Sequence, residues 1–354
     1  MKKKIAFILP SLKGGGAEKV VMNIINSLDT TQLDIHLIVI CPAYDYIDLL
    51  TQQVKVIRLE KPSTSAGIRD IYHVMKELQP QIVFTTLNHI SIISILMRRL
   101  TGGKYVNVVR LPTLPSNMLG AGMKGKVERF LNKKVLRHAH HVIAQTARMK
   151  EEAETFYGIA AKKVRHIPNL VNTQQVETMA NELINVYDYT RFNIVAAGSL
   201  YSAKGFDVLI KAMPAVLQAI PHARLHILGR ENMEPGYSEY LRKLVNEFSL
   251  GDTVLFHGFK SNPYPYFREA DLFVLSSRKE GFPNVVLEAL LLGTPVVATS
   301  CVDFKGVIEP GINGYVVPVE DEKKLAAAIV NAKNLSAPKL AVRNFDYSSF
   351  FMSV

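Results

Sequence analysis

Two glutamates eight residues apart, Glu280 and Glu288, are the residues whose type and spacing point most directly to chemistry. They bracket the run EGFPNVVLE, which follows the apolar, strand-forming DLFVLSS. Glu280-Gly281-Phe282-Pro283 reads as a turn, and Pro283 suits the start of a helix, where its missing N–H is not needed. The helix is expected from about Asn284 to Leu292, stopping at Gly293, with a strand at 296–299. Glu280 then sits in the loop at a strand's C-terminal end, and Glu288 lies about 6 Å along the helix axis from its start. The free N–H groups and dipole of the first turn favour a phosphate. The carboxylates on either side accept hydroxyls. A sugar joined to a nucleotide diphosphate has that polarity.

Four other places could contribute. Lys204, in the loop SLYSAKG, is either a point charge for a phosphate or a solvated loop lysine. The run Gly14-Gly15-Gly16 before a helix permits close backbone approach of a ligand, or is simply a flexible connection; Glu18 in its first turn favours the helix electrostatically. Arg110 opens RLPTLPSN and either offers charged donors to a phosphate-bearing acceptor or braces the loop. His89 begins a helix after a strand. His138, His140 and His141 lack the spacing of metal ligands, and no metal site is expected there.

These residues need a scaffold that brings loop ends together. Apolar strand-like runs recur at 4–9, 34–40, 54–59, 81–87, 105–111, 140–146 and 164–169, and again at 192–198, 224–229 and 253–259. Helical segments fall among them at about 17–28, 66–78, 89–100, 206–220 and 320–332. Strand–helix alternation implies an α/β protein with doubly wound parallel sheets, and ligands then bind beyond the C-terminal ends of the strands. A length of 354 residues points to two domains. The expected division is 1–172 for the first domain, 173–189 for a polar linker, 190–335 for the second domain, and 336–354 for a terminal segment.

The stretch from Glu280 to Glu288, with LGTPVVAT after it, resembles the E-x7-E motif of retaining nucleotide-sugar glycosyltransferases of the GT-B fold, family four. GSLYSAKG resembles that family's G-R-L-x-x-x-K-G, IPNLVN its I-P-N-G-V-D, and GINGYVV its G-x-N-G-x-x-V. The resemblance covers nearly the whole chain and is strongest from 192 to 330. It implies two Rossmann-like domains facing a cleft, the second binding the nucleotide sugar and the first the acceptor, with the C-terminal segment crossing back to the first. It implies that Glu280 contacts hydroxyls of the transferred sugar and Glu288 the ribose, with Gly281, Phe282, Asn284 and Val285 between them at the donor. Lys204 then grips the leaving diphosphate, and Glu280 and Lys204 are the catalytic candidates. Gly15 and Gly16 face the donor diphosphate, while Gly229 and Phe259 lie near the nucleobase. Ser199 stands where relatives carry an Arg, so one cation is missing, and Lys305-Gly306 stand where relatives carry an acid. Arg110 and His89 fall on the acceptor side. No covalent nucleophile, metal or other cofactor is implied; the nucleotide sugar, UDP-linked or GDP-linked, is a co-substrate.

Two cysteines, Cys41 and Cys301, make no disulfide framework and agree with a reducing cytoplasm. MKKKIAFILP is too short in its apolar run for a secretory signal, and no run of about 18 apolar residues spans a membrane. The net charge of +11 is partly concentrated in KGKVERFLNKKVLR at 124–137, with six Lys and Arg. That basic amphipathic helix either lies on an anionic membrane surface or turns its apolar side to the core. A lipid-linked glycan on the cytoplasmic membrane face, in bacterial surface polysaccharide, lipopolysaccharide or capsule synthesis, fits the first reading as acceptor. The rival readings are another GT-B enzyme, a phosphorylase or nucleotide-sugar epimerase, and a non-enzymatic basic nucleic-acid-binding protein. The chain shows no lysine-anchored pyridoxal phosphate signature, and no nucleic-acid module or aromatic-basic interleaving.

Overall fold

The computed structural model describes residues 2–13, 15–50, 53–118, 122–231, 234–341 and 344–354; Gly14 lies outside them. The chain forms two compact units, Met1–Leu170 with Asn344–Val354, and Val171–Arg343.

In the first unit the strands are β1 (Lys3–Leu9), β2 (Leu33–Val39), β3 (Lys55–Arg58), β4 (Ile82–Thr85), β5 (Val106–Arg110), β6 (His141–Ala144) and β7 (Val164–His166). The helices between them are α1 (Gly16–Asn26), α2 (Ile68–Leu78), α3 (Asn88–Leu100), α4 (Gly122–Leu136) and α5 (Ala147–Thr155). All neighbouring strands pair in parallel, in the order β3-β2-β1-β4-β5-β6-β7. The near-continuous burial of β1, β2 and β4 is what a sheet covered on both faces requires.

The second unit begins with α6 (Thr173–Met179). It continues through β8 (Phe192–Ala197), α7 (Phe206–Ala219), β9 (Ala223–Leu228), α8 (Tyr237–Glu247), β10 (Val254–Phe256) and α9 (Tyr264–Glu269). Then come β11 (Leu272–Leu275), α10 (Asn284–Leu291), β12 (Val296–Thr299), β13 (Gly314–Val317) and α11 (Glu322–Ala332). Its sheet is also wholly parallel, ordered β10-β9-β8-β11-β12-β13. Leu209, Leu241 and Ile329 of α7, α8 and α11 share one buried cluster with β8 and β9; Phe267 and Leu290 of α9 and α10 share another with β11 and β12. The two clusters are the cores on opposite faces of one doubly wound sheet.

Several strands end sooner than their apolar runs. β4 stops before Leu87, which takes φ +64°, and β10 before Gly258, at φ +67°. β7 stops before Pro168, which has no N–H to continue a ladder. Residues 173–189, read as a linker, differ from that expectation: α6 folds there, and Val176, Ala180 and Tyr187 join the second unit's core. α12 (Tyr347–Ser353) belongs to the first unit. Its Phe351 packs 6.1 Å from Phe7 and 6.0 Å from Phe84, centroid to centroid, and the Lys3 ammonium donates to the Phe351 carbonyl at 3.0 Å.

Candidate active site

In a doubly wound sheet the strand order reverses at one point, and the loops leaving the strands there splay apart to make a crevice. In the second unit that point lies between β8 and β11. The loop after β8 runs from Gly198 to Gly205. Gly205 takes φ +63°, and a Cβ on it would lie 2.1 Å from the carbonyl oxygen of Ser276. Only glycine allows so close an approach in that conformation. The Ser276 hydroxyl donates to the Lys204 carbonyl at 3.0 Å. Two loops far apart in sequence are thus fastened together.

The result is an ion pair. Lys204 Nζ lies 2.6 Å from Glu280 Oε1, and the Ser277 hydroxyl donates to the same oxygen at 2.8 Å. Both side chains are mostly buried, 16% and 13% exposed. Burial alone would lower the lysine's pKa, but the Glu280 carboxylate and Tyr201 outweigh it and raise it, so the ammonium stays charged. The thiol of Cys301, beside this pair, is pushed up to about 12 by burial and the Glu280 charge, and is protonated at neutral pH.

α10 starts four residues after Glu280, close to its expected bounds, with Pro283 extended before it and Gly293 at φ +86° just past its end. Gly281 is buried, and Phe282 and Val285 pack half-buried against the core; Asn284, half-buried, opens the helix. Glu288 is 1% exposed, and the Tyr264 hydroxyl points at its Oε1 from 3.5 Å. Ser199 lies half-buried in the β8 loop. Gly229 backs onto that loop: a Cβ there would meet the Gly198 carbonyl oxygen at 1.8 Å. Gly229 N–H donates to the Gly258 carbonyl at 2.9 Å, and the Arg230 guanidinium stands 4.4 Å over the Phe259 ring. Gly229 and Phe259 therefore share one loop cluster.

A residue that the sequence reading passed over holds this arrangement. Arg278 donates to both carboxylate oxygens of Asp207, at 2.7 and 2.8 Å, to the Ser202 carbonyl at 2.5 Å, and to Glu320. Tyr237 donates to Asp207 at 2.8 Å. Burial would raise the Asp207 pKa, but the Arg278 fork and the Tyr237 hydroxyl lower it. The partners of Arg278 at 202, 207 and 320 share no sequence neighbourhood with it, so no local pattern revealed them. α8, which carries Tyr237, was also passed over, although Tyr237, Leu241, Leu244 and Val245 follow helical spacing.

In the first unit the reversal lies between β1 and β4. Gly15 precedes α1, and the Glu18 side chain folds back against it; Gly16 is exposed, with nothing within 4 Å of where a Cβ would sit. Arg110 is 3% exposed and donates to Asn169 Oδ1 at 2.6 Å and Thr86 Oγ1 at 3.3 Å. It braces the ends of three strands. Burial pulls its pKa to about 10, while burial raises that of Glu18. His89 is exposed on the first turn of α3. His140 Nδ1 accepts the Asn107 N–H at 3.0 Å, and His141 meets the Phe350 ring edge-on at 5.8 Å. Among the described residues no group of three or more His, Cys, Asp or Glu is placed to hold a metal ion.

Residues 191–334 match the family model described as glycosyl transferases group 1, and residues 14–175 match glycosyltransferase family 4. The chain belongs to this glycosyltransferase family. An uncharacterized glycosyltransferase of Methanocaldococcus jannaschii is 27% identical over 243 residues, 65% of this chain and 58% of its own length. The N-acetylgalactosamine-N,N'-diacetylbacillosaminyl-diphospho-undecaprenol 4-alpha-N-acetylgalactosaminyltransferase of Campylobacter jejuni is 27% identical over 84% of this chain and 80% of its own length. Among solved structures, HepE of Anabaena in complex with UDP and glucose superposes with a TM-score of 0.75 at 20% identity, over 93% of this chain and 89% of its own. The fold of this glycosyltransferase is GT-B, two α/β units each with a parallel sheet. The group 1 match contains Ser199, Lys204, Arg278, Glu280 and Glu288; the family 4 match contains Gly15, Gly16, His89 and Arg110.

Proposed function

We propose that the protein moves a hexose or N-acetylhexosamine from a nucleotide-diphosphate sugar, UDP-linked in preference to GDP-linked, to a hydroxyl of a glycan or lipid-linked glycan, with retention at the anomeric carbon. The observation that carries this reading is the Lys204–Glu280 pair, 2.6 Å apart at the reversal of the second sheet and followed directly by the start of α10. Two relatives support it: HepE was solved with UDP and glucose, and the Campylobacter enzyme is named for a diphospho-undecaprenol-linked acceptor.

Departure of the nucleoside diphosphate leaves negative charge on its terminal phosphate. Lys204 and the N–H groups opening α10 are fixed donors for that charge, and fixed donors need no reorganisation as it develops. Glu280 accepts hydroxyls of the transferred sugar, and its bond to Lys204 keeps both groups in register. Glu288, on the next turn of α10, accepts the ribose hydroxyls once the Tyr264 hydroxyl yields. The leaving phosphate oxygen takes the acceptor's proton on the same face, so no side chain serves as covalent nucleophile. The reading asks for no metal ion, because Lys204 and the helix supply the positive field.

Thermal shift against a panel of UDP- and GDP-sugars, on the wild type and on Glu288→Ala, tests the donor. Stabilisation by one nucleotide series, weakened in the variant, is expected; no response to any donor, together with no nucleotide release in the presence of glycan acceptors, would overturn the reading.

A further inference from the structure

α4 carries four of its apolar residues on the side away from the protein, while Val135 and Leu136 near its C-terminal end pack into the core. Met123, Val127, Phe130 and Leu131 follow i, i+4, i+7 and i+8, which is one helix face. They are 76%, 51%, 57% and 45% exposed. The opposite face, Gly125, Asn132 and Leu136, is the buried one, and Asn132 is 1% exposed. A helix that merely closed the core would reverse this pattern, because water disfavours the large apolar side chains and burial disfavours the amide. The sequence reading that turned the apolar side of this helix to the core holds for Val135 and Leu136 near its end, and not for Val127, Phe130 and Leu131.

Charge identifies what covers the face. Lys126, Arg129, Lys133, Lys134 and Arg137 are all exposed around the stripe. Glu128 is the one acidic residue in the sequence from 118 to 150. Lys134 Nζ lies 5.1 Å from the Phe130 ring centroid, so a cation rides beside an exposed aromatic. A second copy of the chain would set two strongly basic faces against each other, which like charge opposes. A nucleic acid would answer the charge and leave the apolar stripe without use. We infer that α4 docks on an anionic lipid surface, with Phe130 and its apolar neighbours entering the headgroup boundary and the lysines meeting the lipid charge. Such helices bind through apolar burial and electrostatic attraction together. No described helix is long and apolar enough to cross a membrane, so this contact lies on the surface. The inference does not depend on the donor reading.

Sedimentation with vesicles tests it with no donor present, using phosphatidylcholine alone and phosphatidylcholine with about one-third phosphatidylglycerol. Binding to the anionic vesicles at least about tenfold stronger than to the neutral ones is expected. Phe130→Ser with Leu131→Ser, and separately Lys133→Glu with Lys134→Glu, should each cost about tenfold or more. Leu183→Ser, which removes a 94% exposed leucine from the second unit, should change nothing. All these positions are exposed, and unchanged thermal melts would show that the variants fold. Absence of anionic-vesicle binding overturns the inference. So does binding that the charge variant loses and the apolar variant keeps, or a self-association that the apolar variant abolishes without changing vesicle binding.

Discussion

The strand order reverses between β1 and β4 in the first unit and between β8 and β11 in the second. Each reversal has a glycine-bearing loop after the first strand and a basic residue either on that loop or on a neighbouring strand end. In the first unit the base is Arg110, buried and occupied with Asn169 and Thr86. In the second it is Lys204, on a loop tip, and its partner Glu280 is a second loop residue rather than part of a strand. One topology thus makes a structural brace in one place and a polar pair able to exchange partners in the other. An arginine bonded inside the sheet's edge stabilises it; under the proposed function, the lysine–carboxylate pair on the loops opens to a phosphate and a sugar hydroxyl.

Lys204→Ala is the sharpest way to break this comparison. Loss of a fixed donor to a developing phosphate charge costs about 100- to 1,000-fold in kcat, read as nucleotide release with acceptor present. Arg110→Met should act the other way round. It leaves Asn169 and Thr86 without their buried partner and lowers unfolding free energy by about 3 kcal/mol, measured in urea, while kcat falls less than tenfold. Equal activity losses at both positions would show that the first reversal also works on substrate.

Gly205→Ala comes next. A Cβ 2.1 Å from the Ser276 carbonyl, on a residue at φ +63°, forces the β8 loop off the end of β11. The cost is about 2–4 kcal/mol, and it should appear in the thermal melt and in weakened donor binding together.

How far these places could be read from the sequence follows from how local their causes are. α10 was legible because Pro283 and Gly293 mark its ends within ten residues of each other. The parallel architecture was legible because buried strands on both faces leave continuous apolar runs. Glu280 and Lys204 were legible one by one, as loop residues of a known type, but their contact was not: 76 residues separate them. Arg278 was hidden for the same reason, since its meaning lies in Asp207 and Glu320. The face of α4 was half legible. Its apolar spacing is in the sequence, but which side looks outward depends on Gly125, Asn132 and Leu136 finding the core.

The Arg278 network predicts a pH effect on the second unit. The folded-state pKa of Asp207 is lowered, so its contribution is fully present above the ordinary aspartate value of 3.8 and is lost as pH falls from there through the lower folded value. Arg278→Leu should remove about 1–2 kcal/mol at pH 7. It should also flatten the decline of urea stability between about pH 5 and pH 2. An unchanged acid limb would mean that Asp207 titrates alike folded and unfolded. Arg278→Lys keeps the charge without the two-pronged geometry, so it should raise the donor KM more than it lowers kcat, because the loop carrying Lys204 loses its hold on Ser202.

The smallest effect returns to the glycine loops. Gly16 opens α1 with no positive φ and nothing within 4 Å of where a Cβ would sit. Gly16→Ala should therefore leave the fold intact and add up to about 0.5 kcal/mol, through the better helix propensity of alanine and the smaller freedom of the unfolded chain. A differential melt of Gly16→Ala beside Gly205→Ala measures the same chemical change at the start of the first helix of one unit and just before the start of its counterpart in the other. Opposite signs would mean that only the second loop is held by close backbone contact. A loss of stability at Gly16 comparable to that at Gly205 would mean that both loops are pinned, and the contrast drawn from Arg110 and Lys204 would then lie in their side chains alone.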